Sequence, residues 1–145
     1  MYAMENTPWL IEAIKKTQEY YKLPVKIVLG GSFQLPIEGI VDNCCGPREF
    51  LSYIKNAECV VTNSFHGMAF SVIFKKKFIS VAHSSRNTRL ENLLKIIGKI
   101  EKQVHQLNFF ISNNEIDSQM CTANIDRLIY HSKMFLLANI KKGIE

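Results

Sequence analysis

The sequence lacks the features of a membrane-spanning, secreted or metal-binding protein. No apolar run approaches the roughly 20 residues that a transmembrane helix needs. Residues 1–8 have no basic segment ahead of an apolar one and carry Glu5, so no secretory signal is visible. The four cysteines contain no C-x-x-C pair, which gives no zinc or thioredoxin-type motif. We therefore expect a cytoplasmic chain with free thiols, no transmembrane segment and no metal.

The composition is that of a folded domain with an uneven charge. The chain has 145 residues, of which 47% are apolar and 21% charged, and this excludes a disordered chain. Residues 51–100 hold 8 basic and 2 acidic side chains, whereas residues 1–50 sum to −1 and residues 101–145 to zero. A local excess favours an anionic ligand over nucleic acid, which would need a longer basic stripe with aromatic residues. For Lys75–Lys77 a solvated face is the simpler interpretation.

Periodicity and helix-end signals predict that helices and strands alternate as far as Gly98. Helices are predicted at 8–22, from 46–47, at 68–74, from 88 and at 124–141. Strands are predicted at 25–29, 59–62 and 78–82. Short extended pieces are predicted at 40–41 and 107–111. This alternation indicates an α/β fold in which helices cover both faces of a mostly parallel, Rossmann-like sheet. Since the predicted order begins with a helix and has three strands besides the two short pieces, we expect the chain to form part of a larger assembly.

Three helix ends carry specific signals. Thr7-Pro8 predicts an N-cap followed by proline at the first helical position. Thr88 and Glu91 have the spacing of a capping box, and Gly98 suits a C-cap. The last helix is predicted to be amphipathic, with an apolar side formed by Ile125, Leu128, Ile129, Leu136 and Ile140.

A polar segment, Thr62–Gly67, joins a predicted strand to a predicted helix. In open α/β sheets ligands bind beyond the carboxyl ends of the strands. Gly67 is expected to permit a tight turn, and the following helix to point free N–H groups at an anion. His66 at that place can bind a phosphate or carboxylate, or transfer a proton near neutral pH.

A second polar segment, His83–Arg89, follows the next strand and also ends at a helix start. Arg86 and Arg89 flank Asn87 there and suit a carboxylate or phosphate. A lone histidine beside an apolar helix is more often structural, and an arginine in a first helical turn is often only solvated. Two such loops within the basic third of the chain favour one shared anion site.

The motifs T-N-S-F-H-G at Thr62–Gly67 and R-N-T-R-L-x-x-L-L at Arg86–Leu94 together resemble the polysaccharide pyruvyl transferase family. The resemblance is best over residues 40–100. It implies the C-terminal half of a two-domain, GT-B-like transferase. Residues 1–145 are then expected to form one Rossmann-like half-domain that lacks the N-terminal acceptor domain and is inactive alone.

The resemblance also implies an activity. Family members transfer the enolpyruvyl group of phosphoenolpyruvate, with no other cofactor, to a sugar of a cell-surface polysaccharide and form a pyruvate ketal. It assigns catalysis to His66, with a glycan or lipid-linked sugar as acceptor. Some members have an arginine where this chain has Ser64, so Arg86 or Arg89 is expected to supply that charge. The expected donor-binding residues are Asn63, Ser64, His66, Gly67, Arg86, Asn87 and Arg89.

Two alternatives stay open. The first is a GT-B glycosyltransferase half that uses a nucleotide sugar. It would need an acidic residue after the site to bind the ribose hydroxyls, and none stands between Glu58 and Glu91. A non-catalytic remnant or interaction module would bind no phosphoenolpyruvate.

Overall fold

The computed structural model describes residues 1–42 and 44–142, and within them one sheet of six strands has the order β3-β2-β1-β4-β5-β6. The strands are β1 Tyr2–Ala3, β2 Lys26–Leu29, β3 Ile40–Asp42, β4 Cys59–Thr62, β5 Lys77–Ser80 and β6 Ile116–Asp117. All neighbours pair in parallel except β5 and β6, which are antiparallel. The predicted mostly parallel α/β sheet is confirmed.

Helices cover both faces of this sheet. They are α1 Pro8–Tyr21, α2 Pro47–Asn56, α3 Phe65–Ile73, α4 Thr88–Ile96, α5 Ile111–Asn114 and α6 Thr122–Lys142, with 3₁₀ turns at Ile100–Lys102 and Ser118–Cys121. Successive strand residues point to opposite faces, so Val61 packs with α1 and α5 while Val60 packs with α2, α3 and α4. The expectation of helices on both faces is therefore confirmed.

The chain starts with a strand, and the expectation that a helix comes first is wrong. Tyr2 lies opposite Val28 of β2 on one side and opposite Thr62 of β4 on the other, so β1 is central. Two residues are too few for any periodicity, which is why the pattern of the sequence missed this strand. With β1 in place, the strand order reverses between β1 and β4, and that reversal is where α/β sheets bind ligands.

Two of the predicted helix ends are confirmed. The Leu10 N–H donates to Thr7 Oγ1 (3.3 Å), and Pro8 is the first residue of α1. Gly98 has a φ of +70°, and the Lys99 N–H beyond it donates to the Leu94 carbonyl (2.8 Å). A left-handed glycine therefore ends α4 as predicted.

Two other local predictions are wrong. Asn87, not Thr88, is the N-cap of α4, and the Glu91 carboxylate accepts from the Asn87 side-chain amide (2.6 Å) instead of forming a capping box. Residues 107–111 do not form a strand. The ammonium of Lys16 binds two carbonyls of that stretch, at Leu107 (3.2 Å) and Phe109 (3.0 Å), which are therefore bonded to a side chain and not to a neighbouring strand.

The long helix α6 is present as predicted, but most of its apolar side is not buried. Ile125 packs against the core, whereas the apolar side chains beyond it are exposed. These are Leu128, Ile129, Tyr130, Met134, Phe135, Leu136, Leu137 and Ile140. Among the described helices, α6 included, none combines the length and the hydropathy needed to cross a membrane.

Candidate functional site at the carboxyl edge of the sheet

Asn63 joins the loops that follow β1 and β4. Its side-chain oxygen accepts from the Met4 N–H (2.8 Å), and its amide nitrogen donates to the Glu5 carbonyl (3.1 Å). Asn63 is buried, and the preceding Thr62 hydroxyl donates to the Tyr2 carbonyl (2.6 Å). The amide of Asn63, expected to bind a ligand, thus bonds to the backbone of the neighbouring loop.

The N-terminus of α3 opens at this edge without a side-chain cap. The helix begins at Phe65 and not at Met68, so His66 lies in its first turn. Ser64 is the N-cap residue, but its side chain makes no capping hydrogen bond, in contrast to Thr7 at α1. The first N–H groups of a helix have no intrahelical acceptor and carry the positive end of the helix dipole. This end of α3 is therefore suited to an anion.

The His66 side chain is exposed at that helix end. Its ring contacts the Phe65 ring edge-to-face, with 6.0 Å between centroids and an interplanar angle of 76°. Among the residues that the structure describes, none forms a hydrogen bond to the His66 imidazole. Both ring nitrogens are thus open to a ligand.

Gly67 is needed for close packing, and the expectation that it makes a tight turn is wrong. It is buried within α3, and a Cβ there would come within 2.3 Å of Thr62 Oγ1. Gly67 therefore lets the first turn of α3 lie directly on the end of β4.

The loop after β5 is organised around His83. The Nδ1 atom of His83 accepts from the N–H groups of Ser85 and Arg86, both at 3.2 Å. The same Nδ1 atom lies 3.4 Å from Glu5 Oε1. The His83 N–H donates to Asn87 Oδ1 (3.3 Å), and the same oxygen accepts from Gln103 (2.9 Å). These bonds fix both ends of the loop.

Arg86 and Arg89 project from this loop and the first turn of α4, and both are exposed. Over residues 1–42 and 44–142 neither guanidinium takes part in an ion pair. α4, like α3, has no side-chain cap. Two cations next to an uncapped helix suit an anionic group.

Glu5, which the sequence analysis did not single out, contacts both loops. Its carbonyl accepts from Asn63 as described, and its carboxylate accepts from the Ser84 N–H (2.5 Å) and the Ser84 hydroxyl (2.6 Å). The two polar loops therefore meet at one edge, as expected. No acid stands between Glu58 and Glu91, but Glu5 reaches the site from the loop after β1. Recognising Tyr2–Ala3 as a strand would have placed Glu5 there.

The basic charge of residues 51–100 does not gather at this edge. Lys75–Lys77 lie at the amino end of β5, where Lys77 pairs with Glu115 (3.4 Å). Lys55 and Lys95 lie in the last turns of α2 and α4. Of the basic cluster expected around the two loops, the two arginines lie there and the lysines named above do not.

A cavity of about 620 Å³ lies at the opposite edge of the sheet, against the amino ends of β2 and β4. Tyr21, Tyr53 and Cys59 are among its lining residues, and burial raises the pKa of Cys59 to about 12. None of the expected site residues lines it. The carboxyl edge, with its open helix ends, histidine and arginines, remains the stronger candidate for anion chemistry.

No metal site is evident in the described part of the chain, where no three His, Cys, Asp or Glu side chains are arranged to hold an ion.

One comparison with known proteins gives a match. The family model described as "Polysaccharide pyruvyl transferase" matches residues 6–85, which is more than half of the chain. The match includes β4, Asn63–Gly67 and all of α1, and it ends one residue before Arg86. It begins well before residue 40, where the resemblance of the motifs started. No curated protein and no solved structure matches the chain.

Proposed function

The chain belongs to the polysaccharide pyruvyl transferase family, and from that membership we propose that its carboxyl-edge site binds phosphoenolpyruvate as donor. The observation that carries the proposal is the uncapped N-terminus of α3 with the exposed His66 in its first turn. An open helix end and an imidazole together are suited to a phosphate or carboxylate.

Phosphoenolpyruvate carries two anionic groups, and the site offers two places for them. The N–H groups at the start of α3, with His66, form the first place. Arg86 and Arg89 at the start of α4 form the second, and a guanidinium binds a carboxylate or phosphate with paired hydrogen bonds. Arg86 and Arg89 replace the charge that some family members supply at the position of Ser64.

The proposed reaction forms a ketal from two sugar hydroxyls and the enolpyruvyl group. The methylene carbon of the donor gains a proton and becomes a methyl group, while both hydroxyl oxygens bond to C2. The C2–O bond to phosphate breaks, and the two hydroxyl protons are accounted for by the new methyl group and the released phosphate. His66 serves this reaction as the proton donor to the methylene carbon or as a ligand of the phosphate.

The acceptor in this proposal is a glycan or lipid-linked sugar used for exopolysaccharide synthesis in the cytoplasm. A second, N-terminal domain of GT-B-like arrangement would bind it opposite the carboxyl edge. The nucleotide-sugar alternative is less favoured, because Glu5, the acid found near this edge, is already engaged by the N–H and the hydroxyl of Ser84.

Titration calorimetry of the chain tests the proposal with three ligands: phosphoenolpyruvate, inorganic phosphate and a nucleotide sugar. We expect phosphoenolpyruvate to bind more tightly than phosphate, because its carboxylate adds a second contact. Binding of the nucleotide sugar alone would favour the glycosyltransferase alternative. Absence of binding by all three would favour a non-catalytic module.

A further inference from the structure

The carboxylate of Glu5 accepts two hydrogen bonds from one residue of the loop after β5. Its two oxygens accept separately from the backbone N–H and the hydroxyl of Ser84, at 2.5 and 2.6 Å. Ser84 is exposed, whereas the Glu5 side chain is 20% exposed and the neighbouring His83 side chain 12% exposed. Two hydrogen bonds from one residue fix the orientation of the Glu5 carboxylate relative to Ser84, which a single bond would leave free to rotate.

The backbone that carries Glu5 is itself fixed to β4. Asn63 Oδ1 accepts from the Met4 N–H, and Asn63 Nδ2 donates to the Glu5 carbonyl. Glu5 thus connects the carboxyl ends of three parallel strands: it follows β1, its carbonyl is held at the end of β4, and its side chain holds the loop after β5.

The loop that contains Ser84 is held together by its own hydrogen bonds. His83 Nδ1 binds the N–H groups of Ser85 and Arg86, and the His83 N–H binds Asn87. A constraint at Ser84 is therefore transmitted to Arg86 one turn of the loop away. Without the two bonds to Glu5, the loop would keep its internal hydrogen bonds. It would lose its attachment to the place between β1 and β4 where the strand order reverses.

We propose that Glu5 is a positioning residue, which holds the loop of Arg86 and Arg89 against the site so that donor and His66 meet; this rests on the function proposed above. A negative charge is otherwise unfavourable next to an anionic donor, since like charges repel. Its presence is explained if the contribution of Glu5 is its two hydrogen bonds and not its charge. Misplacement of binding groups by about 1 Å is enough to cost large factors in rate.

Two substitutions separate these contributions. Glu5→Gln keeps an acceptor for the Ser84 N–H and offers an amide donor to the Ser84 hydroxyl, but it removes the charge. Glu5→Ala removes both bonds. Glu58→Ala is the matched control, because Glu58 is exposed and precedes β4 at the opposite edge of the sheet. Two measurements are made on each variant of the 145-residue chain: amide hydrogen exchange at Ser84 by NMR without ligand, and phosphoenolpyruvate affinity by calorimetry.

For Glu5→Ala we expect Ser84 exchange to accelerate by at least about tenfold and donor affinity to fall about tenfold. Glu5→Gln is expected to restore both to within about threefold of the unsubstituted chain, and Glu58→Ala to change neither. Unchanged donor affinity in Glu5→Ala would overturn the inference. So would an affinity in Glu5→Gln as low as in Glu5→Ala, because the charge and not the attachment would then matter.

The two measurements keep this inference apart from the proposed function. If the unsubstituted chain binds no phosphoenolpyruvate, the proposed function fails, and Ser84 exchange alone then decides whether Glu5 holds the loop. Faster exchange in Glu5→Ala that Glu5→Gln reverses would support the positioning contact. Equal exchange in all variants would overturn it.

Discussion

Gly67 lies so close to Thr62 that a Cβ on the glycine would come within 2.3 Å of the threonine Oγ1. The threonine cannot move away easily, because its hydroxyl donates to the Tyr2 carbonyl and accepts from the Ser64 N–H (3.1 Å). The first turn of α3 is therefore placed on the sheet by the absence of a single side chain.

Gly67→Ala should lower the free energy of unfolding. Overpacking costs about 1–3 kcal/mol, and the better helix propensity of alanine offsets about 1 kcal/mol of this. Urea denaturation measures the change. Gly31→Ala is the control, since a Cβ there meets the Phe33 ring at an ordinary 3.5 Å. Equal stability of the two variants would contradict the close packing of α3 on β4.

Asn63→Ala should destabilise the chain by about 2 kcal/mol, because it leaves the Met4 N–H and the Glu5 carbonyl without partners. The control is Asn56→Ala, which removes an exposed amide bonded to the Ser52 carbonyl (2.9 Å) and should change stability by less than about 0.5 kcal/mol. Chemical denaturation of both variants gives the comparison. A loss in Asn63→Ala no larger than in the control would show that the bridge between β1 and β4 contributes nothing.

His66→Ala should weaken phosphoenolpyruvate binding by about tenfold or more, as expected for a lost hydrogen bond to a charged ligand. His131→Ala is a matched control, because His131 on α6 contacts Tyr130 edge-to-face at 5.9 Å and 73°, almost as His66 contacts Phe65. Calorimetry of the two variants compares the same side-chain loss at a helix start and within a helix. Unchanged phosphoenolpyruvate affinity in His66→Ala would remove this residue from the donor site.

Replacing Arg86 and Arg89 together by alanine should lower donor affinity about tenfold and flatten its dependence on salt, since fewer charge contacts remain to be screened. Arg127→Ala on α6 is the control and should leave both properties unchanged. Affinity is measured at several ionic strengths. A double variant that binds the donor normally would refute a role for this pair.

The thiols should differ in reactivity with alkylating reagents. Burial raises the pKa of Cys59 to about 12 and also raises the pKa of Cys121, so little thiolate is present at pH 8. Cys44 is exposed and should react first. Mass spectrometry after brief iodoacetamide treatment at pH 8 follows each cysteine, with unfolded chain in urea as the control. Native Cys59 reacting as fast as Cys44 would contradict its partial burial and raised pKa.

Much of the fold follows from signals that are carried by residues adjacent in the sequence. Thr7-Pro8 begins α1, Gly98 ends α4, and the apolar run Cys59–Thr62 is β4 as predicted. In each case the residues that decide the structure are adjacent in the chain. The alternation of helices and strands then sufficed to predict a mostly parallel sheet.

What the sequence did not reveal depends on contacts between distant residues. β1 is a strand because β2 and β4 lie on either side of it, and Glu5 reaches the candidate site only through that placement. The predicted capping box failed because the Asn87 amide, also bonded to Gln103, competes for Glu91. The basic cluster failed because Lys75–Lys77 precede β5, whereas the polar loop follows it.

The two central strands of the sheet share little backbone pairing. Tyr2–Thr62 is the single register pair between β1 and β4 in the described residues, whereas β4 and β5 share four. The Thr62 hydroxyl and the Asn63 amide supply the further bonds across this seam, to Tyr2, Met4 and Glu5. The open helix ends of α3 and α4 both lie on the β4–β5 side of the seam. The position of β1 beside the anion-binding helices therefore depends on side chains as much as on the backbone ladder.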